Sequence, residues 1–380
     1  MRYLLLLSIL YTTVGLTAQT VESIKAGNGT LLKVERVNGP FKHPWAIAFL
    51  PDETMLVTER NTGKLYHMST QPGAKRTTIK GTPDVHAMGQ GGLMDIAIDP
   101  NFQRNQMVYI SYAKPGEGPT STAALGRGRL QGDSLVGFKD IFVQQPYFNG
   151  SKHYGNQIVF SADGQYIYFV MGERFQFEPA QQLDNHWGKV VRIFKDGRVP
   201  KDNPFMNVAG ARPEIWSYGH RNIESMALQP GTNELYLVEM GPLGGDELNR
   251  VQRKANYGWP RESWGENYDG TQLPDPKPNS PYQNAIKYWN PVISPSGMTF
   301  YTGSMFPDWQ GDAFVGGLSS RDLVRLTIEG DRLVDEERLP MPARIRDVAT
   351  GPDGAIYLVT DDAKGEVWRI VPLVPSKNKK

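Results

Sequence analysis

The sequence predicts an all-β chain folded as a six-bladed propeller of four-stranded antiparallel blades, and three observations lead there. Glycine (40) and proline (28) are spread evenly over the 380 residues, long helical periodicity is missing, and one strand–turn–strand pattern recurs about six times.

Read from its start, Met1 and Arg2 precede the apolar run YLLLLSILYTTVGLTA, which ends in small residues at Ala18. That is the build of a secretory signal peptide, so residues 1–18 are set apart from the fold and the remainder, 19–380, is expected to be one exported domain, periplasmic or secreted. An uncleaved anchor is the alternative, although the run is shorter than the roughly 20 residues a membrane span needs. The strand LLKVERV (Leu31 to Val37) is expected to pair into the last blade, closing the ring and removing two free sheet edges.

The repeats then follow. Each has apolar alternation, a Pro-Asp or Asp-Gly type turn, and a second strand built around Tyr or another large apolar residue. They begin at Trp45 (WAIAFLPDETMLVTER), Met94, Asn156 (NQIVFSADGQYIYFVMGE), Glu224, Gly297 and Arg346 (RDVATGPDGAIYLVTDD). Their spacing of roughly 50 to 75 residues suits one blade plus loops per copy. A double-sheet sandwich is the competing architecture. Two stretches, Lys114 to Ser151 and Tyr257 to Pro295, read as long inserts between repeats; the second carries the turn-rich PDPKPNSP. Loops at one face of a closed ring are where such a fold builds a site.

Composition narrows the chemistry. There is no cysteine, which excludes thiolate catalysis, iron–sulfur clusters and Cys-His haem attachment. A formal charge of +1, with acids and bases interleaved, argues against nucleic acid or an anionic membrane as partner. The last lysines, Lys377, Lys379 and Lys380, read as a solvated tail.

Several residues ask for more than packing. His153, in GSKHYGNQIVF, stands just before an inner-type strand, so its imidazole is expected at the mouth of the central channel as a general base. A loop histidine without a role is the plain alternative, but Glu173, in MGER at the next strand end, is placed to hold the ring tautomer. The stretch from Glu214 to Pro260 is denser still. Arg221 and Asn222 set a planar cation beside an amide, suited to an anionic or quinonoid oxygen, unless the arginine simply pairs with a nearby carboxylate. Gly241-Pro242 interrupts a strand and turns carbonyls outward, the hard oxygen ligands that calcium takes, or it is merely a turn. Glu247 with carbonyls near Tyr257 forms a second oxygen-rich candidate, or is a surface acid. Arg344 and Arg346 alternate on one strand face, costly without an anion between them unless solvent screens them. Gln90, in MGQGGLMDIAIDP, sits on a glycine-flanked turn and says little alone.

Together these segments resemble the pyrroloquinoline-quinone (PQQ)-dependent soluble glucose dehydrogenases and aldose sugar dehydrogenases, also called glucose/sorbosone dehydrogenases. The resemblance runs from PWAIAFLPD to the final blade. It is most specific in GQGGLMDIAIDP, the His153 segment, LDNHWGKVVRI followed by DNPF, the Glu214 to Pro260 stretch, and RIRDVATGPDG. It implies that His153 takes the anomeric hydroxyl proton of an aldose while hydride passes to a quinone carbon, and that Arg221 stabilises the growing charge. It implies that Gln90, Asn222, Arg344 and Arg346 hold the cofactor, that Gly241 and Pro242 give backbone oxygens to a calcium, and that Glu247 and the Tyr257 carbonyl bind a structural calcium. Tyr268, in WGENYDG, matches an aromatic beside the cofactor.

The chain departs from the family pattern at three places. Ser319 stands where a lysine is usual, with Arg321 two residues later as a possible substitute; Met240 stands where Gln or His is usual; and Glu173 replaces an Asp of some members. The partners implied are an aldose and a separate electron acceptor, since the chain has neither haem attachment nor a G-x-G-x-x-G fingerprint after a strand. No membrane span is expected, and the protein would act as a monomer or homodimer. Two readings compete: a calcium-dependent lactonase or esterase, which needs side-chain carboxylate and Asn ligands converging from several blades, and a non-catalytic propeller that binds carbohydrate or protein.

Overall fold

The computed structural model describes residues 18–373. The proposed signal peptide (all but Ala18) and the C-terminal lysines therefore lie outside the described residues. Six antiparallel sheets are formed, five of four strands and one of five. The sandwich alternative is thereby set aside: successive inner strands pack against one another in sequence and the last packs against the first, closing a ring.

Each of the six repeats is the inner hairpin of a blade. The inner strands are Pro44–Phe49, Leu93–Ile98, Gly155–Phe160, Asn222–Leu228, Pro295–Phe300 and Ile345–Thr350, defining blades 1 to 6. The recurring acid in the hairpin turn has a local cause. The carboxylates of Asp52, Asp163 and Asp353 each accept the backbone N–H two residues on, at 3.1 Å, and so fix the reversal.

Blade 6 is completed by the N-terminus. Leu31–Phe41 pairs antiparallel with Gly365–Pro372, and Gln19–Lys25 adds a fifth strand outside it. The expected closure by Leu31 to Val37 is thus present, with one more strand than foreseen.

The insert expected at Lys114 to Ser151 is not an insert. It holds the two outer strands of blade 2, Ser121–Gln131 and Ser134–Val143. Gly126 and Gly128 make that segment read as a loop, but a side chain at Gly126 would meet the Phe138 ring at 2.3 Å, so the small residues answer to packing between the two strands. In Tyr257 to Pro295, whose last residue opens the inner strand of blade 5, the one complete strand is Lys287–Trp289, closing blade 4, and the rest is irregular.

Six hydrophobic clusters form the core, one between each pair of neighbouring blades; Val170, Val190, Ile223 and Leu237, for example, join blades 3 and 4. Burying large aliphatic side chains contributes roughly 1.5–3 kcal/mol each, so the wedges hold the ring without disulfides. Around the channel, polar groups lock blade to blade: Asp95 accepts from the Ile158 N–H (2.7 Å), Asp347 from Ile47 (3.0 Å), and Ser225 Oγ from Met298 (2.8 Å). Every inner strand carries a register shift near its start, a bulge that re-aims its first side chains. Among the described residues no helix is long and apolar enough to cross a membrane.

Candidate active site

Antiparallel pairing puts the entry of each inner strand beside the exit of the second strand, because Pro44 pairs with Glu59, Gly155 with Met171, Asn222 with Met240 and Ile345 with Thr360. All of these ends share one rim of the channel. Entries supply Trp45, His153, Arg221, Asn222, Arg344 and Arg346; exits supply Arg60, Glu173, Gly241 and Asp361.

His153 is held from three directions. Its backbone N–H donates to Gln90 Oε1 (2.6 Å), its Nδ1 lies 2.7 Å from Glu173 Oε2, and its ring meets Phe175 edge-on at 5.1 Å. Glu173 Oε2 also accepts the Phe175 N–H (2.5 Å) and is therefore an acceptor at this point. The proton of the imidazole accordingly sits on Nδ1, and the Nε2 lone pair is left for a substrate. Gly172 makes the approach possible, since a side chain there would run into the His153 carbonyl (2.4 Å) and Asn222 Oδ1 (2.5 Å). His153 takes a positive φ of 51°, as do Arg174 (61°) and Phe175 (63°), so strained backbone gathers around the pair. Burial pushes the His153 pKa below its usual value, with Glu173 opposing and Arg221 and Lys152 reinforcing the fall. The ring is thus neutral near pH 7, as a base must be.

Arg221 adjoins this pair through backbone: the Glu173 N–H donates to the Arg221 carbonyl (2.9 Å). Its guanidinium has no carboxylate partner among the described residues. Nη1 donates to the carbonyls of Met240 (2.9 Å) and Gly241 (2.6 Å), Nη2 reaches Tyr268 Oη at 3.4 Å, and Nε is buried and unpaired. Tyr268, 59 % exposed, joins Phe175, Phe177 and Pro242 in an open cleft of about 510 Å³ beside Arg221. Asn222 Nδ2 donates to Glu224 (2.6 Å) while its Oδ1 is buried without a partner.

The opposite wall is a cavity of about 400 Å³ over the channel, lined by Trp45, Arg60, Gln90, Glu224, Arg344, Arg346, Asp361 and their neighbours. Here one expectation is corrected. An anion does lie between Arg344 and Arg346, and the chain provides it: Asp361 Oδ2 accepts from Arg344 Nη2 (2.9 Å) and Arg346 Nη2 (3.2 Å), and Arg346 Nη1 also donates to Glu224 (3.3 Å). Burial pushes Asp361 up, but Arg346, Arg344 and Arg60 outweigh it and hold the carboxyl at about 2. Glu224, buried, is pushed up despite Arg346.

Gln90 lines this cavity but spends its carbonyl oxygen on His153. Ser319 Oγ lies 2.8 Å from Ser294 Oγ, and Ser294 and Leu318 form the rim at that point. Arg321 is exposed at φ 56°, is absent from the cavity lining, and makes no side-chain hydrogen bond among the described residues. The buried unpaired donors Arg221 Nε and Arg346 Nε, with the surrounding guanidiniums, fit a planar anionic ligand.

Below Gly241 lies an acidic pocket of about 20 Å³, lined by Glu239, Glu247, Tyr257, Glu262 and adjoining residues. Glu239 and Glu247 face each other across neighbouring strands, bridged by Asn249 Nδ2 (3.1 and 2.9 Å). Burial, then repulsion from Glu239, pushes Glu247 up to about 8, the signature of two acids sharing a site that a cation would relieve. Asp246, which accepts the Gly241 N–H (2.9 Å), is pushed by burial to about 6. Glu247 and Tyr257 line this one pocket. Among the described residues no group of three or more His, Cys, Asp or Glu side chains is arranged to hold a metal, so calcium here would lean on carbonyls. Nearby, Ser217 Oγ, His220 and Glu239 form a chain of 2.9 and 3.0 Å with the connectivity of a hydrolytic triad, but Ser217 and His220 are fully buried and no substrate reaches them.

The site geometry can be set beside known proteins. Residues 41–369 match the family described as Glucose / Sorbosone dehydrogenase. The chain belongs to that family. Aldose sugar dehydrogenase YliI of Escherichia coli (strain K12) is 40% identical over 348 residues, 90% of this chain and 93% of that protein. Quinoprotein glucose dehydrogenase B of Acinetobacter calcoaceticus is 25% identical over 411 residues, 86% of this chain and 84% of that protein. Among solved structures, the soluble aldose sugar dehydrogenase of E. coli in the apo-form superposes with a TM-score of 0.85 at 40% identity, covering 90% of this chain and 99% of that one. The family resemblance and the propeller expected from sequence are both borne out.

As a member of the glucose/sorbosone dehydrogenases the chain carries further rim residues that its motifs did not announce: Trp45, Arg60, Glu224 and Asp361. Aligning the six repeats offers a signal for two of them, since Trp45 and Glu224 occupy the same repeat position as Arg346.

Proposed function

We propose that this dehydrogenase is an exported quinoprotein that oxidises the anomeric hydroxyl of aldose sugars to the lactone, with PQQ and calcium as cofactors and His153 as base. The reading rests chiefly on the His153–Glu173 pair set beside an arginine with no carboxylate partner, at the edge of a cation-lined cavity. The names of the relatives, a sugar dehydrogenase and a quinoprotein glucose dehydrogenase, support it.

PQQ would be held by Asn222, Arg344 and Arg346, with Gln90 bracing His153. Calcium would take the carbonyl of Pro242 and that of Gly241, which it would share with Arg221 Nη1, and a second calcium Glu247 with the Tyr257 carbonyl. Bound there, PQQ supplies a quinone carbon that accepts hydride, and calcium polarises its carbonyl. The protein's own part is proton transfer and charge. His153 Nε2 takes the C1 hydroxyl proton as the C1 hydrogen leaves with its electron pair; Glu173 keeps the tautomer and stabilises the imidazolium. Arg221, held by two carbonyls, keeps its charge for the oxygen that becomes negative. The Phe175, Phe177 and Tyr268 cleft offers apolar faces to a sugar ring. Two electrons then pass to a separate acceptor.

Reconstitution of the purified protein with PQQ and calcium, followed by dye reduction with a panel of aldoses, tests the proposal. Sugar-dependent reduction is expected; no activity above the apo-protein together with no cofactor absorbance change would overturn it.

A further inference from the structure

We infer that Arg60 is a further cofactor-binding cation of this site, beside Arg344 and Arg346, filling the role left open by Ser319; the inference rests on the functional reading above. The argument begins with charge. Arg60, Arg344 and Arg346 line the same cavity of about 400 Å³, and they face two carboxylates, Glu224 and Asp361. Arg344 and Arg346 are already committed: Asp361 takes Nε and Nη2 of the first (3.1 and 2.9 Å) and Nη2 of the second, and Glu224 takes Nη1 of the second. Arg60 spends only Nε, on Asn61 Oδ1 at 2.9 Å, and its two terminal nitrogens have no hydrogen-bond partner among the described residues. It is the surplus guanidinium of the cavity.

Its placement is built. Arg60 follows the second strand of blade 1, Thr54–Glu59, and its N–H donates to the His43 carbonyl at 2.9 Å. Gly92 of the GQGG motif packs on it so closely that a side chain at position 92 would strike the Arg60 carbonyl (2.2 Å) and Cγ (2.5 Å). The guanidiniums of Arg60 (5.6 Å) and Arg346 (4.2 Å) both lie over the Trp45 ring, so an aromatic face supports each of them. Burial first, then repulsion from Arg346, lowers the Arg60 pKa from the usual arginine value, with Asp361 and Glu224 opposing the fall. A ligand carboxylate entering the cavity therefore finds free donors on Arg60, whereas at Arg344 and Arg346 it competes with Asp361. Across the cavity Ser319 offers only a hydroxyl already engaged with Ser294.

The test is equilibrium binding rather than turnover. Apo-protein with calcium is titrated with PQQ, followed by the change in cofactor absorbance and tryptophan fluorescence, for wild type, Arg60→Gln, Arg60→Lys and the double variant Arg60→Gln with Ser319→Lys. Arg60→Gln should weaken PQQ binding on the order of 10- to 100-fold, the span of one charge-assisted hydrogen bond, and flatten the salt dependence of Kd. Arg60→Lys should recover part of the affinity, and so should Ser319→Lys in the Gln background, each with a circular-dichroism spectrum like wild type. Recovery by either lysine separates a missing charge from a damaged fold. Wild-type affinity in Arg60→Gln, or a loss that neither lysine repairs, overturns the assignment of Arg60 alone. A wild type that takes up no PQQ overturns the functional reading, and this inference with it.

Discussion

The two walls of the channel mouth are built on opposite plans. On the wall of blades 3 and 4, His153, Glu173 and Arg221 are buried and fixed by hydrogen bonds, and His153 stands on strained backbone, so the groups are placed before any ligand arrives. On the wall of blades 6 and 1, Arg60, Arg344 and Arg346 are side chains around internal carboxylates, and Asp361 stands where a ligand's carboxylate could also stand. The difference separates two tasks. Proton transfer requires placement within a fraction of an ångström, whereas holding an anion requires charge that can be exchanged between partners.

If that division is right, changes to His153 and Glu173 on the first wall alter turnover and leave cofactor uptake alone. His153→Ala should lower kcat about 10²- to 10⁴-fold, the usual worth of a general base, with the PQQ titration unchanged. A parallel loss of PQQ affinity would contradict the separation. Glu173→Gln comes next, at about 10- to 100-fold in kcat, because an amide can donate to Nδ1 and favour the wrong tautomer. Its pH profile is informative too. Since burial holds the His153 pKa below 6.5, the neutral base persists on acidification until pH falls through that lowered value; the acid limb of kcat/KM should therefore lie below pH 6.5. Glu173 raises the His153 pKa, so removing its charge should move the limb further toward acid.

On the second wall the expected effects are on binding and stability. Asp361→Asn leaves Arg344 and Arg346 without the charge that joins them. Breaking such a pair costs about 3 kcal/mol, and thermal melting of the apo-protein should fall by several degrees, with PQQ restoring more of it than in wild type. The smallest effect is expected beneath the site. Calcium should raise the melting temperature of wild type by a few degrees and that of Glu247→Gln less, because the facing pair Glu239 and Glu247 is what a cation would relieve. Equal shifts in both proteins would remove Glu247 from the calcium site.

The same contrast explains what could be read in the sequence. The inner hairpins were legible because their alternation, acid-capped turns and spacing are local, and each predicted repeat begins at or within two residues of an inner strand's start. His153, Arg221, Asn222, Arg344 and Arg346 were legible for the same reason: they sit at strand entries beside the repeat signal. Arg60 and Asp361 were not. They follow second strands, where TER and TDD look like ordinary polar turns, and their importance arises only when the ring brings blades 1 and 6 together across a distance of about 300 residues in sequence. The outer strands of blade 2 were missed because glycines chosen for strand-to-strand packing imitate a loop. Asp361 shows a further limit. Like charges on one strand face predict a counter-ion, but sequence cannot say whether the chain or a ligand brings it.

The central claim is that this rim accepts PQQ and oxidises an aldose through His153. Anaerobic addition of aldoses to the calcium-loaded, PQQ-reconstituted wild type, with the quinone absorbance followed in time, tests it most directly. The account predicts rapid sugar-dependent bleaching that His153→Ala, equally loaded, slows by about two orders of magnitude or more. PQQ that binds and is reduced by no aldose, or is reduced as fast in His153→Ala, would contradict it.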